Sequence, residues 1–239
     1  MKSAFSVLLL CFLLVSCNEE KAVKAEKPVE AEKTIQERAE LGDADAQLDL
    51  GEMYNNGEGV PKDYTEAVKW YRKAAEQGFA RAQNNLGWMY KGGDGVPKDY
   101  AEAVKWFRKA AEQGHSDAQC DMGLMYQFGE GVSKNDAEAV KWYRKAAEQG
   151  HLEAQSALGD MYSLGEGVPE DDVEAVKWWL KAAEKGHAYS QSCLGEVYFH
   201  GEGVQKDTAQ ATKWYRKAAE QGDADAKEWL KKNAKDESE

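Results

Sequence analysis

The feature that most constrains this chain is a 36-residue period that covers most of its length. The segment 69–78 (KWYRKAAEQG) returns four times with at most three changes, each time 36 residues further on. Four glycine positions recur in all five units and account for 20 of the 22 glycines, so no insertion or deletion interrupts the register. Such a period predicts stacked supersecondary units that share a continuous core. The units are 43–78, 79–114, 115–150, 151–186 and 187–222, flanked by a half-repeat cap at 34–42 and by a capping helix and tail at 223–239.

Each unit is predicted to contain two helices. In the first unit, apolar residues at helical spacing predict a helix A over residues 45–55 and a helix B over residues 64–77. Gly57 suits the left-handed end of helix A. Gly51 costs about 1 kcal/mol relative to Ala inside a helix, so its recurrence predicts a close approach of a neighbouring helix. Suitable N-caps for the helices B are Asp63, Asp99, Asn135, Asp171 and Asp207.

These residues resemble the Sel1-like repeat, a relative of the tetratricopeptide repeat. The matching pattern in the first unit is Ala46, Leu50-Gly51, Tyr54, Gly57, Gly59-Val60, Ala67, Trp70-Tyr71, Ala74-Ala75 and Gly78. The resemblance implies an all-α, right-handed α-solenoid with helix A on the concave face and helix B on the convex face. It also implies use as an adaptor, scaffold or assembly factor, although a fold alone does not fix a function.

The N-terminus reads as a targeting segment. Lys2 precedes an apolar run over residues 4–15, which is too short for an ordinary membrane span and predicts a signal peptide over residues 1–16. A membrane anchor or a buried helix is the alternative interpretation. The sequence Leu14-Val15-Ser16-Cys17 resembles a bacterial lipobox, which implies lipidation of Cys17. Residues 17–33 would then be the lipidated cysteine and a polar tether. Asn18, in place of Asp, implies the outer membrane, and we expect the periplasmic face rather than the cell surface.

The composition excludes several classes of partner. The net charge of −12 argues against nucleic acid and against peripheral binding to anionic lipid. We therefore expect a protein or peptide partner, attachment to the membrane only through the lipid anchor, no cofactor, and a monomer.

Helix A positions that vary between units are the candidates for recognition, because the invariant positions hold the fold. By analogy with tetratricopeptide grooves, the candidates in the second and third units are Arg81, Asn84, Asn85, Trp88, Asp117, Asp121, Leu124 and, at the rim, Phe128. The polar members suit a peptide backbone or carboxylate, and the apolar ones suit side chains. In the fifth unit the equivalents are Tyr189, Ser192, Cys193 and Phe199. The alternative is a solvated face with scattered apolar residues.

Other candidate sites have simpler interpretations. The five tryptophans that recur every 36 residues are expected in the core rather than in a carbohydrate site. The same helix A position holds His115, His151 and His187. Stacked repeats place such residues about 10 Å apart, too far for a shared metal ion with bonds of about 2 Å, so we interpret them as surface turn residues. Cys120 and Cys193 lie two repeats apart and are predicted to be free thiols.

An enzyme is not expected. The chain lacks the S-x-x-K, S-D-N and K-T-G motifs of serine β-lactamases and the H-E-x-x-H motif of zinc peptidases. The leading hypothesis is a membrane-anchored scaffold that binds a protein or peptide along the helix A face. The second is a surface-exposed or secreted binder of a host or envelope component such as peptidoglycan. The third is a β-lactamase-like hydrolase, suggested only by related cysteine-rich repeat proteins.

Overall fold

The computed structural model describes residues 34–233, and within this range it is entirely helical, with twelve α-helices. Helices α1 and α12 form the two ends, Ile35–Glu40 and Ala224–Asn233. The helices A of the five repeats are α2, α4, α6, α8 and α10, at Ala44–Asn56, Ala80–Gly92, Ser116–Phe128, Leu152–Leu164 and Ala188–His200. The helices B are α3, α5, α7, α9 and α11, at Tyr64–Glu76, Tyr100–Glu112, Asp136–Glu148, Asp172–Glu184 and Thr208–Glu220. The predicted helices of the first unit are confirmed to within one residue at each end.

Each helix packs on its neighbours in chain order, so that helix B contacts helix A of its own repeat and helix A of the next repeat. This is the arrangement of an α-solenoid. No helix within residues 34–233 is long and apolar enough to span a bilayer. The predictions for the signal peptide, Cys17 and the tether fall on residues 1–33, outside the described part of the chain, as does the tail at 234–239.

Local sequence signals set the helix ends. The Asp63 carboxylate accepts the backbone N–H groups of Thr65 and Glu66 at 2.9 and 3.1 Å. Each of the other four predicted N-caps accepts one backbone N–H, from the residue three positions further on. Helix α2 ends at Gly57, which is left-handed with φ of 80° and donates its N–H to the Met53 carbonyl. Both features repeat along the array, which gives all the turns the same geometry.

The glycine inside helix A marks the tightest contact within each repeat. A Cβ atom on Gly51 would lie 2.6 Å from the Tyr71 ring of helix B, and one on Gly123 would lie 2.5 Å from the Tyr143 ring. Ordinary carbon–carbon contacts need about 3.5–4.0 Å. The absence of a side chain therefore lets the aromatic ring lie directly on the helix A backbone, as the sequence predicted.

The repeated tryptophans are buried, which confirms their predicted place in the core; they are Trp70, Trp106, Trp142, Trp178 and Trp214. At the N-terminal end, Ala39 of α1 packs with Trp70. At the C-terminal end, Trp229 of α12 stacks on Tyr215 with ring centroids 4.4 Å apart. Each terminal helix thus covers apolar surface that a neighbouring repeat covers elsewhere.

A ladder of glutamines connects successive repeats. Gln47 is buried, donates to the Ala39 carbonyl at 2.9 Å, and accepts from Gln77 of its own helix B at 2.8 Å. The same two bonds recur at Gln83, Gln119 and Gln191. In the fourth repeat Lys185 replaces the second glutamine, and the buried Gln155 Oε1 has no hydrogen-bond partner. A buried acceptor without a partner is destabilising.

We predict that Lys185→Gln stabilises the protein by about 0.5–1.5 kcal/mol, the usual net value of one hydrogen bond, because it restores the partner of Gln155 Oε1. The free energy of unfolding from urea denaturation measures the change. The matched control is Gln149→Lys, which creates the same defect in the third repeat and should destabilise. Equal stability of Gln149→Lys and the wild type would contradict the ladder as a source of stability.

Candidate binding groove

The helix A face forms a groove whose floor is aromatic. We call the residues that share one position in successive repeats a row, named after the member in the first repeat. The lining comes mainly from the Asp45, Asp49, Glu52 and Asn55 rows of helix A and from the Tyr71 row of helix B. Between the first two repeats it encloses a cavity of about 320 Å³ that includes Glu52, Tyr71, Arg81, Asn85 and Trp88.

In this first cavity the cation is already paired. The Arg81 guanidinium lies 2.8 Å from a Glu52 carboxylate oxygen, and the Asn85 amide lies 3.5 Å from the same carboxylate. The structure places Arg81 and Asn85 together beside Glu52, a residue that was not among the predicted contacts. A partner carboxylate would have to compete with Glu52 for Arg81.

Trp88 is the exposed aromatic residue of the second repeat. Its side chain is 46% exposed and packs edge-on against Phe107, with ring centroids 5.9 Å apart. The Lys91 ammonium lies 5.1 Å from the centre of the Trp88 ring and 3.2 Å from the Glu130 carboxylate of the next repeat. Such an ammonium–ring contact is a cation–π interaction, and it holds Trp88 in a defined orientation at the groove surface.

Two of the predicted contact residues are not available at the surface. Asn84 is only 6% exposed, and its row begins with Leu48, which belongs to the apolar core. Asp121 is only 5% exposed, whereas Asp49 of the same row is exposed. The prediction that these two side chains face the groove is wrong. Asp121 lies beside Trp88 of the preceding helix A, whereas Asp49 in the first repeat follows no helix A within residues 34–233.

Burial leaves Asp121 in an unfavourable environment. One of its carboxylate oxygens has no hydrogen-bond partner. Burial raises the pKa of the Asp121 carboxyl to about 7, although the nearby Lys91 ammonium and the Trp88 indole act in the opposite direction. This carboxyl therefore gains a proton on folding near neutral pH.

The remaining predicted residues of the third repeat lie at or near the surface. Phe128 is 66% exposed, and Leu124 is half-buried. Asp117 is exposed, and its carboxylate lies 3.2 Å from Nε2 of His151. Leu164, which the prediction did not name, follows Phe128 in the same row and is also 66% exposed. Phe128 and Leu164 are thus exposed apolar residues at one position of the third and fourth repeats.

The three histidines are helix caps rather than simple turn residues, which corrects the prediction. Nδ1 of His115 accepts the backbone N–H of Ala118 at 3.3 Å, and His151 and His187 act in the same way. Asp43 and Asp223 hold the equivalent caps at the two ends. Burial lowers the pKa of His115 and of His187. Within the described residues no cluster of His, Cys, Asp and Glu suits a metal ion.

In the fourth and fifth repeats the groove is lined by acidic side chains. A cavity of about 390 Å³ is lined there by four carboxylates, two aromatic rings and Leu164. The Trp179 indole donates to the Asp160 carboxylate at 3.0 Å. Burial raises the pKa of Asp160 to about 6, more than the bonds from Trp179 and Tyr189 lower it. Both described cysteines are free thiols, and burial raises the pKa of Cys120 and of Cys193 to about 12, which keeps them protonated and unreactive.

The acidic residues of this second cavity were missed by the sequence analysis. They lie in the Glu52 row and in the loop after helix A: Asp160, Glu166, Glu196 and Glu202. For Asp160 and Glu196 a signal was present, because the Glu52 row contains Glu, Trp, Leu, Asp and Glu and so varies as a recognition position should. Glu166 and Glu202 gave no such signal, because their row is acidic in every repeat.

A known family of repeat proteins matches this chain with the same 36-residue period. Five copies of the Sel1 repeat match at residues 44–79, 80–115, 116–151, 152–187 and 188–223. The chain belongs to the Sel1 repeat family. Sel1 repeat proteins are typically protein-interaction scaffolds, and this chain is a repeat scaffold and not an enzyme.

Solved structures of Sel1 repeat proteins are similar over most of the chain. A protective antigen of uropathogenic Escherichia coli with this fold is 46% identical, with a TM-score of 0.79 over 80% of this chain and 41% of the antigen. The chain thus spans well under half the length of that antigen. A Sel1 repeat protein from Oxalobacter formigenes is 44% identical, with a TM-score of 0.76 over 81% of this chain and 79% of the other. No curated protein gives a significant match.

We predict that Asp121→Asn stabilises the protein at pH 8 by about 1–3 kcal/mol, the usual cost of a buried polar group without a partner. The folded-state pKa is raised, so ionisation of Asp121 costs stability as the pH rises from about 4 to about 7. The gain from the substitution should therefore be largest at pH 7 and above and should shrink below pH 5. Urea unfolding at several pH values measures it.

The matched control is Asp49→Asn, at the exposed member of the same row. Its effect should stay within about 0.5 kcal/mol at every pH, as is usual for surface positions. A loss of stability in Asp121→Asn at pH 8 would show that the carboxylate is compensated in the folded state.

Proposed function

We propose that this Sel1 repeat protein is a lipid-anchored scaffold that docks a segment of a partner protein along the helix A groove. The observation that carries the proposal is the placement of exposed apolar side chains. Seven large hydrophobic residues are well exposed within residues 34–233. Four of them, Trp88, Phe128, Leu164 and Tyr189, lie on helices A and follow one another through the second to fifth repeats. Exposed apolar surface of this kind is typical of interaction sites.

The geometry of the groove suits an extended or helical peptide segment. The aromatic rings of helix B form its floor, and polar side chains such as Asn85 and Gln127 lie beside them. A docked segment would place apolar side chains on the rings and hydrogen-bond to the polar groups, as in other grooves that bind peptides. Asn84 and Asp121 take no direct part in this proposal, because they are buried.

Photo-cross-linking tests the groove directly. We expect benzoylphenylalanine at position 128 or 164 to give cross-linked partner in cells, because both side chains are 66% exposed and belong to the row whose members Asn56 and Leu164 line groove cavities. The matched control is position 173 on helix B, where Val173 is also a large hydrophobic residue and is 52% exposed. Equal cross-linking from position 173, or none from 128 and 164, would contradict the proposal.

The anchor is proposed from the lipobox-like sequence before Cys17. Acylation contributes about 0.8 kcal/mol for each buried CH₂ group, so several chains hold a soluble domain at a membrane. We expect Cys17→Ser to abolish incorporation of labelled palmitate and to move the protein from the outer-membrane fraction to the soluble fraction. Retention of both label and membrane association in Cys17→Ser would exclude this anchor.

A second candidate is a binder displayed on the cell surface that contacts a host or envelope component. It is favoured by the similarity to an E. coli protein described as a protective antigen. Proteolysis of intact cells distinguishes the two orientations. Degradation of the solenoid by added protease supports surface display, and protection until the outer membrane is opened supports the periplasmic scaffold.

A further inference from the structure

The groove contains two kinds of carboxylate position that take a cation from a neighbouring repeat. In the first, Glu52 receives the guanidinium of Arg81 at 2.8 Å. In the second, Glu130 receives the ammonium of Lys91 at 3.2 Å. Both pairs join successive repeats along the groove, so the first half of the array shows which groups these carboxylate positions accept.

In the fourth and fifth repeats the carboxylates are present but the cations are not. Asp160 and Glu196 belong to the Glu52 row, yet the residues that replace Arg81 beside them are Tyr189 and Asp225. Glu166 and Glu202 belong to the row of Glu130, yet the residues that replace Lys91 are Gln127 and Ser163. None of these four carboxylates makes an ion pair within residues 34–233.

The four carboxylates surround one cavity. All of them line the space of about 390 Å³ described above, and no lysine or arginine contributes to that lining. Like charges that share one space repel one another. Asp160 and Glu166 are half-buried, so they are also costly to desolvate, whereas Glu196 and Glu202 are exposed. A bound cation would relieve both effects.

The same cavity offers surfaces for the apolar parts of a ligand. Trp179 and Tyr189 line it together with Leu164. Towards the C-terminal end, a second cavity of about 440 Å³ shares Tyr189, Cys193 and Glu196 and adds the Tyr215 and Trp229 rings. Aromatic faces next to carboxylates suit a guanidinium or an ammonium group on an alkyl chain, which stacks on the ring while its charge meets the carboxylate.

We propose that the groove of the fourth and fifth repeats binds a basic, amphipathic segment of a partner protein, whose arginine or lysine side chains occupy the places that Arg81 and Lys91 hold in the first half. The proposal rests on the proposed function, since it names the chemistry of the segment that the groove docks. The partner cations would pair with Asp160 and Glu196 on one side and with Glu166 and Glu202 on the other.

A synthetic peptide serves as the probe. Successive repeats lie about 10 Å apart, and a polyproline II chain rises about 3.1 Å per residue with three residues per turn, so arginines at every third position lie on one face at about the repeat spacing. The probe is a fluorescent nonapeptide with the sequence Arg-Leu-Ser three times over. Its controls carry citrulline, which is neutral and similar in shape, or glutamate in place of arginine.

Fluorescence anisotropy with the full chain in detergent measures the affinity. We expect the arginine peptide to bind about tenfold or more tightly than the citrulline peptide, equivalent to about 1.4 kcal/mol, with the difference shrinking as salt is raised. Asp160→Asn combined with Glu196→Gln should weaken the arginine peptide by at least about tenfold. The matched control, Glu148→Gln with Glu184→Gln, removes the same charge from exposed helix B positions and should leave the affinity within about twofold.

A further variant adds an arginine side chain to the site itself. Tyr189→Arg places a guanidinium at the position that Arg81 holds against Glu52, and it should weaken the arginine peptide without removing any carboxylate. Circular dichroism and thermal unfolding check that each variant remains folded.

Three results would overturn the proposal: equal binding of the arginine and citrulline peptides, no binding of either, or full affinity in the Asp160→Asn, Glu196→Gln variant. The scaffold function fails separately, when positions 128 and 164 give no cross-linked partner in cells. A partner that cross-links in the groove through a segment without arginine or lysine keeps the scaffold function and overturns the charge assignment.

Discussion

The contact on which the rest of the structure depends is the aromatic ring of helix B resting on the glycine of helix A. At Gly123 a Cβ atom would lie 2.5 Å from the Tyr143 ring, and at Gly159 it would lie 2.3 Å from Nε1 of Trp179. This contact sets the distance between the two helices of each repeat. The same contact places the outer edge of the aromatic ring at the groove, where Tyr71 and Trp179 line the two cavities.

The ring in each repeat therefore determines part of the groove chemistry. Phe107 has no polar atom, and Trp88 packs on it. The Tyr143 hydroxyl donates to Gln127 at 2.7 Å, and the Trp179 indole donates to Asp160 at 3.0 Å. The side chains of the Tyr71 row therefore have two roles. Their rings pack between the two helices of the repeat, and the polar groups of Tyr143 and Trp179 each orient a side chain in the groove. A substitution in this row would change both stability and recognition.

The sequence predicted the fold almost completely because the fold depends on what every repeat shares. Periodicity located the helices, the glycines and the helix B caps without any knowledge of contacts between repeats. The chemistry of the groove depends instead on contacts between residues of neighbouring repeats. These contacts join different rows and differ from repeat to repeat, so comparing residues within one row does not reveal them. Asp121 illustrates this point: it shares a row with the exposed Asp49, but it lies beside Trp88 of the preceding helix A, whereas Asp49 follows no helix A within residues 34–233. Likewise, the sequence suggests that Arg81 is free to bind a partner, whereas in the structure its guanidinium already pairs with the Glu52 carboxylate.

The distribution of charge along the groove follows from the same comparison between repeats. A net charge of −12 describes the whole chain, but it does not say where the charges are uncompensated. In the first half Glu52 has an arginine partner and Glu130 a lysine partner, so an additional cation gains little at these two positions. In the second half the corresponding cation positions hold Tyr189, Asp225, Gln127 and Ser163 while the carboxylates remain, and the buried Trp179 ring beside Asp160 reduces the access of water there. Because electrostatic interactions strengthen as water is excluded, the selectivity of a long and regular solenoid can be concentrated in two of its five repeats.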